Sequence, residues 1–372
     1  MPQMEHQFTT TIRRVLSAHF GHLSEVVFSQ SYLIQYLNYK TRSASQGSKA
    51  RGAFANIYAI YVLVEDYVNH DFDDTDAYSD YEGAQFSYLF QRQRELPFGS
   101  KLQNHALNHR LNQEFRGRFP QQTLPPIIRD TETSRYWFNE GLLKIEIGES
   151  ELNISRAIMD IIDAYIEAKQ GALKTLISDI ENLQRISQSD PDQALTYIRN
   201  LLRPNVDARI FEIVSYAILK SHFHEQTIYW GWAPQSLERE RLTLYKTGRT
   251  NANDGGIDFV MKPLGRFFQV TETTDVRKYF LDIDKVIHYP ITFVIKSEQP
   301  TSELKMAIRS QAQKLYTVNA IVEKYISAVE EIINIPRLVE VLTKLAESGR
   351  IVAVIDEILL YSRFEFHYSV DN

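Results

Sequence analysis

Cysteine is absent from all 372 positions, which removes disulfides, thiolate metal sites and cysteine nucleophiles from consideration and is compatible with a reducing compartment. No run approaches the roughly 18 consecutive apolar residues of a membrane-spanning helix. The first turns, with Glu5, His6 and Gln7, also lack the apolar segment of a signal peptide. The expectation is a chain that neither spans a membrane nor leaves by that route, with the cytoplasm as its place. The patterns GxGxxG, GxxxxGK[ST] and GxSxG are missing too, so dinucleotide, ATP-driven and α/β-hydrolase chemistry lack support and no nucleotide cofactor is expected. An excess of positive charge is lacking as well, because 41 Lys and Arg against 47 Asp and Glu leave a net charge of −6. Such a balance argues against coating nucleic acid non-specifically but leaves room for one locally basic cleft.

What is present is the composition of an ordinary soluble globular chain, 44% hydrophobic and 24% charged, long enough for two or three domains. The first third reads as helical. An apolar run from Phe54 to Val68 follows a polar linker, Lys40 to Lys49, and predicts a buried helix. Between Gln91 and Arg118 the residues Arg92, Arg94, Lys101, Arg110, Arg116 and Arg118 concentrate positive charge, readable as phosphate contacts or as a solvated surface. From Asn153 to Arg185 the isoleucine and leucine spacing predicts one long amphipathic helix or a pair of helices broken at Gly171. Ser189-Asp190-Pro191 then reads as a cap with proline at the first helical position.

Past that point the texture changes, and a boundary near residue 195 separates a mainly helical N-terminal region, 1–195, from a C-terminal domain, 196–372. In the latter the pattern predicts a helix from Asp207 to Phe223 and strands at Thr227 to Trp232, Leu242 to Thr247, Ile257 to Lys262 and Phe267 to Thr271. It continues with a helix from Arg277 to Ile287, a buried strand from Pro290 to Lys296, helices from Ser302 to Ile326 and Ala328 to Glu347, and strands at Ile351 to Ile355 and Leu359 to Tyr368. This order predicts an α/β fold with a mixed central sheet flanked by helices.

The segment from Thr247 to Glu272 carries most of the chemistry. Asn253-Asp254-Gly255-Gly256 is turn-forming, because glycine, asparagine and aspartate tolerate positive φ. Two short strands follow, joined at Pro263-Leu264-Gly265. If their apolar residues share one face, the connecting loop must hold an even number of residues, which puts Asp258 on the same face as Gln269 and Thr271. A carboxylate beside an amide oxygen suits magnesium, which takes oxygen ligands and keeps several waters, and magnesium suits phosphodiester hydrolysis. Glu212, in the otherwise apolar row Ile210, Phe211, Ile213 and Val214, needs a cationic partner if it is buried and a metal or a salt bridge would supply one. Arg239, Arg241, Lys246 and Arg249 read equally as phosphate contacts or as a solvated edge.

These residues resemble the core of the PD-(D/E)XK nuclease superfamily. DGGIDF is followed by QVT, with ten residues between Asp258 and Gln269, and that superfamily carries Asp and then Glu-or-Gln, any residue, Lys on such a hairpin. The resemblance covers about residues 205 to 297. It implies a restriction-endonuclease-like core, a magnesium ion on Asp258 and Glu212, and catalytic parts for Asp258, Gln269, Thr271 and Glu272. It also implies DNA contacts for Lys246, Arg249 and Lys262. A chain of this size without a helicase or ATP-binding motif resembles a type II restriction endonuclease, which implies double-stranded DNA as partner and a homodimer on a palindromic site. Thr271 stands where the superfamily has its lysine and Gln269 where it usually has an acid. Two groups present themselves for the lysine's work: Lys262, on the face of Asp258 but about 13 Å along the strand, and Glu272.

Overall fold

The computed structural model describes residues 5–42, 50–75, 77–187, 189–247, 257–272 and 275–366. The chain divides into two compact units, Met1–Lys174 and Thr175–Asn372. In the first, helices α1 (Thr9–Phe20), α2 (Ser24–Gln30), α3 (Tyr32–Thr41), α4 (Ala50–Asn69), α5 (Phe86–Glu95) and α6 (Leu111–Arg118) are accompanied by short strands. These are β1 (Ala84–Gln85), β2 (Ile127–Asp130), β3 (Arg135–Phe138), β4 (Lys144–Ile147) and β5 (Ser150–Asn153). The expected buried helix is α4: Ile57, Tyr58, Ile60, Leu63, Val64 and Tyr67 are all within its core, as a helix apolar on every side requires. The strands form a three-stranded sheet, β1-β3-β2, and a β4-β5 hairpin, which the reading of this region as helical did not anticipate.

Part of the basic zone of this unit is neutralised within it. Arg92 holds Glu65 through two hydrogen bonds of 2.7 and 2.8 Å, and the Arg118 guanidinium lies 3.6 Å from the centre of the Tyr39 ring. Lys101, Arg110 and Arg116 remain exposed.

Helix α7 (Ser155–Ile186) runs unbroken through Gly171, so the pair of helices is set aside in favour of the single one. Asp190 then caps α8 (Pro191–Leu201), its side chain accepting from the Gln193 N–H with Pro191 in the first turn, as the sequence indicated.

The second unit continues with α9 (Ala208–Phe223), β6 (Thr227–Trp230), β7 (Glu238–Arg241), β8 (Thr243–Lys246), β9 (Phe259–Lys262), β10 (Arg266–Thr271), α10 (Val276–Lys285) and β11 (Ile291–Ile295). It ends with α11 (Thr301–Leu315), α12 (Asn319–Ser327), β12 (Val329–Ile333), α13 (Ile335–Glu347) and α14 (Ile351–Phe366). Five strands make one mixed sheet in the order β12-β11-β10-β9-β8. β8, β9 and β10 are antiparallel neighbours, whereas β10, β11 and β12 run parallel. Parallel neighbours need crossover connections, supplied here by α10 and by the α11-α12 pair. β11 is buried at all five positions, the pattern of a parallel strand covered on both faces.

Helices α9, α13 and α14 pack together on one side, where Tyr216 meets Phe259 and Phe223 meets Phe268 at ring separations of 5.1 and 5.8 Å. On the other, Tyr279 of α10 meets Phe293 of β11 at 4.7 Å, within a cluster that includes Leu304, Ile308, Val322 and Ile326. The expected mixed sheet flanked by helices is therefore present.

Three local expectations fail beyond Thr301. The two strands expected at Ile351 to Ile355 and Leu359 to Tyr368 are one helix, α14. Its buried residues Ile351, Val354, Ile355, Ile358, Leu359 and Ser362 recur at the three- and four-residue spacing of a helix face, and that period overrides the β-branched content. The helix expected from Ala328 to Glu347 is β12 followed by α13. Asn334 caps α13 by accepting from the Arg337 N–H, and Pro336 sits in its first turn, a start signal placed inside the expected helix. The helix expected from Ser302 to Ile326 is interrupted at Tyr316–Val318, giving α11 and α12.

Phe268 is fully buried on β10, the strand that carries Gln269 and Thr271. Truncating it in a Phe268→Ala variant is expected to lower unfolding free energy by about 3–5 kcal/mol in a denaturant titration. A loss under about 1 kcal/mol would show that the hairpin does not depend on this packing.

Candidate functional site

Helix α9 begins at a cap in which the Asp207 side chain accepts from the Arg209 N–H. One turn in, Glu212 is only 9% exposed between the fully buried Phe211 and Ile213, so its charge has to be met by protein or ligand. Arg209, three residues earlier, donates to Oε2. From β8 the Lys246 Nζ comes to 2.9 Å from Oε1, with both side chains about nine-tenths buried. The Lys246 ammonium also sits 5.5 Å from the centre of the Tyr361 ring of α14, a favourable seat for a desolvated cation. Lys246 thus stands as the counter-ion of Glu212 and not on an open surface.

The hairpin meets this group from the sheet. Met261 pairs with Arg266 and Phe259 with Phe268, so four residues, Lys262, Pro263, Leu264 and Gly265, lie between the paired Met261 and Arg266. This is the even loop that the apolar pattern requires, with Gly265 at φ +66° in the turn where a side chain would be strained. Asp258 lies in a bend just before β9. Its N–H donates to the Phe268 carbonyl at 3.2 Å, and the Val270 N–H donates to its Oδ2 at 2.8 Å. These two bonds bracket Gln269, the residue across the ladder.

Asp258 keeps some surface open, yet the protein around its carboxylate strips away most of the water. That desolvation and, second, the negative charge of Glu212 push its pKa up to about 7, against the pull of the Val270 N–H, Arg209 and Lys246. The structure therefore brings Asp258, Glu212, Lys246 and Arg209 into one electrostatic group. A carboxylate forced toward its protonated form by a second carboxylate is a position where added positive charge is favoured.

The remaining expected residues are placed differently. Gln269 is 7% exposed and its Oε1 has no hydrogen-bond partner, an oxygen donor left unused in the protein. By alternation it falls in the row of Phe267 and Thr271, and Thr271 is 3% exposed. Glu272 pairs with Lys296, whose Nζ also donates to the Val206 carbonyl just before α9. Lys296 is a residue that sequence reasoning missed. Its signal was available: a lysine directly after the largely apolar, fully buried strand ITFVI must bury its charge or turn out, and here its side chain is 2% exposed. Lys262, at the opposite end of β9, is 64% exposed and 3.4 Å from Glu240, so it does not reach the Asp258 group. Arg249 and the Asn253–Gly256 turn lie outside the described residues.

Among the described residues no three of the histidine, aspartate and glutamate side chains are grouped to hold a metal ion. A cation here would draw on two carboxylates, Asp258 and Glu212, on water, and on the unpartnered Gln269 oxygen if that amide turns toward them. An all-oxygen set completed by water suits magnesium. Glu212 already has two cationic partners, so binding an ion would loosen Arg209 or Lys246 from it.

The raised pKa of Asp258 fixes a pH dependence. The folded chain holds this proton up to about pH 7 whereas the unfolded chain releases it near the ordinary value of about 3.9. Between the two the folded state binds more protons, so this group's contribution to stability falls as pH rises through the window and levels off above it. In chelator-treated protein, Asp258→Asn is expected to gain melting temperature relative to wild type on going from about pH 5 to about pH 8. A gap that stays constant over that range contradicts the placement of Asp258. Comparison with protein-family models, with curated proteins and with solved structures finds no match to this chain.

Proposed function

We propose that this chain is a magnesium-dependent endonuclease that hydrolyses phosphodiester bonds in double-stranded DNA at a specific sequence, a type II restriction enzyme. The observation that carries the reading is two poorly solvated carboxylates, Asp258 just before β9 and Glu212 on the preceding helix, the second raising the pKa of the first while Arg209 and Lys246 hold Glu212. The order around it supports a restriction-endonuclease-like core: helix α9, three antiparallel strands β8 to β10, helix α10 and the parallel strand β11.

In this reading Asp258 and Glu212 hold the ion, with Gln269 as the further oxygen. When bound, magnesium would lower the pKa of a water nucleophile and offset charge growing on the phosphate. Lys246 is the buried ammonium facing the carboxylates, in place of the lysine that position 271 lacks. Thr271 at the end of β10 and Glu272 just past it, the latter held by Lys296, would orient water. A homodimer acting on a palindromic site belongs to the same proposal, as does a cytoplasmic location. No helix among the described residues is long and apolar enough to cross a membrane.

Digestion of supercoiled plasmid with magnesium tests the reading. Discrete linear fragments are expected from wild type, with a fall of at least about a thousandfold in Asp258→Ala and about tenfold or more in Glu212→Gln. Open circles alone would point to a nicking enzyme of the same fold. Plasmid left intact across salt and pH, or an Asp258→Ala chain that cuts like wild type, overturns the proposal.

A further inference from the structure

The β6-β7 hairpin lies between α9, which carries Glu212, and β8, which carries Lys246, and takes no part in the five-stranded sheet. Its two faces differ in chemistry. Thr227 is opposite Arg241 and Tyr229 opposite Arg239, whereas Ile228 is opposite Glu240 and Trp230 opposite Glu238. Residues directly opposite share a face, so one face carries tyrosine and two arginines and the other two glutamates. At its base the acidic face turns toward the protein, where Ile228 and Glu240 are half-buried and Glu240 pairs with Lys262 of β9 at 3.4 Å, whereas nearer the tip Trp230 and Glu238 are exposed. The basic face is the outer one, with Thr227, Arg239 and Arg241 exposed and Tyr229 exposed by 73%. Among the described residues its arginines make long contacts, Arg239 to Thr227 and Arg241 to His224, each at 3.4 Å.

The tip is built to hold an aromatic ring outward. Trp232 is 93% exposed, more than any other large hydrophobic side chain among the described residues, and it meets the Trp230 ring at 5.5 Å. The loop beneath it is tight. A Cβ on Gly231 would fall 2.3 Å from the Ser236 carbonyl oxygen, and the Ser236 N–H donates to the Ala233 carbonyl at 2.9 Å. Leaving an indole in water forgoes the favourable burial of a large apolar surface, which a partner at the tip would restore.

We infer that this hairpin is a DNA-grasping ribbon: it enters a groove of duplex DNA with Arg239 and Arg241 on phosphates and Trp232 against the bases. A two-stranded ribbon fits the major groove, arginines supply charge-assisted phosphate contacts, and an aromatic ring at the tip stacks on or wedges between bases. The same pattern disfavours a second copy of this chain as occupant. In a two-fold antiparallel pairing of β7 with its copy, directly opposite residues come from the same face, so arginine meets arginine and glutamate meets glutamate. Basic face against basic face repels likewise. The inference rests on the nuclease reading only for the choice of duplex DNA as the polyanion.

The test uses the full-length Asp258→Asn chain in chelator, where cleavage cannot interfere, and a fluorescein-labelled duplex of mixed sequence, with affinity read by anisotropy between about 50 and 200 mM salt. Adding Arg239→Ala and Arg241→Ala together is expected to weaken binding about tenfold or more at the lower salt and to reduce the salt slope by about 2. Adding Trp232→Ala instead is expected to weaken binding about fivefold or more with the slope unchanged. Variants that bind like the parent, a parent that binds no duplex, or variants that change only the mass of the particle in light scattering would each overturn the inference, the last in favour of a protein partner. Plasmid cleavage by the wild-type chain separates the two proposals. A chain that never cuts but loses duplex affinity with these substitutions keeps the ribbon and removes the nuclease. One that cuts while its hairpin variants bind normally does the reverse.

Discussion

Two poorly solvated carboxylates on different elements lie close enough for the charge of one to raise the pKa of the other. Glu212 enters from α9 and Asp258 from the bend before β9, and their mutual repulsion is held in check by Arg209, by Lys246 and by one backbone N–H, that of Val270. Removal of water from charged oxygens is costly unless cations and hydrogen bonds replace it. Here the replacement is partial for Asp258, which is why its proton is held to near neutrality. An arrangement that leaves a carboxylate in this condition has little value for stability alone, since an apolar side chain would fill the same space without the penalty.

The fold supplies the positions. α9 lies against the sheet through aromatic contacts, Tyr216 on Phe259 and Phe223 on Phe268, and the Tyr216 hydroxyl donates to the Leu244 carbonyl of β8 at 3.0 Å. The helix that carries Glu212 is thereby tied to the strand that carries Lys246 and to the hairpin that follows Asp258. Rotating α9 by one residue, about 100°, would take Glu212 off this surface. The four-residue loop at Lys262–Gly265 sets the register, and a slip of one residue would turn every side chain of β10 to the other face. The β6-β7 ribbon interrupts none of these contacts. It forms a two-stranded sheet of its own, joined to β9 by the Glu240–Lys262 pair.

Much of this was legible in the residues. The alternation of Ile257, Phe259 and Met261 with Phe268 required an even loop, and Asp190 before Pro191 marked a helix start with a physical mechanism behind it. Local chemistry determines such features. Glu212 was legible as a buried charge in need of a partner, because an acid amid isoleucine and phenylalanine is costly alone. Which cation would answer it was not legible, since Lys246 lies 34 residues further along the chain and the pairing depends on the packing of β8 against α9. Lys246 and Lys262 looked alike as basic residues near the hairpin; burial separates them, one in the ion group and the other 64% exposed. The misreading of α14 has a different cause. Its valines and isoleucines favour strand, but the buried positions follow a helical period, and tertiary packing of that face against α9 decides the outcome.

If the proposed function holds, Asp258 and Glu212 together receive a divalent cation. Calorimetric titration of magnesium into the full-length chain at about pH 8, above the titration of Asp258, tests it most directly, with Asp258→Ala and Glu212→Gln chains alongside. Saturable binding by the wild type, lost in Asp258→Ala and weakened in Glu212→Gln, is the expected result. Magnesium binding that is unchanged by removing the Asp258 carboxylate, or absent from the wild-type chain, would contradict the claim.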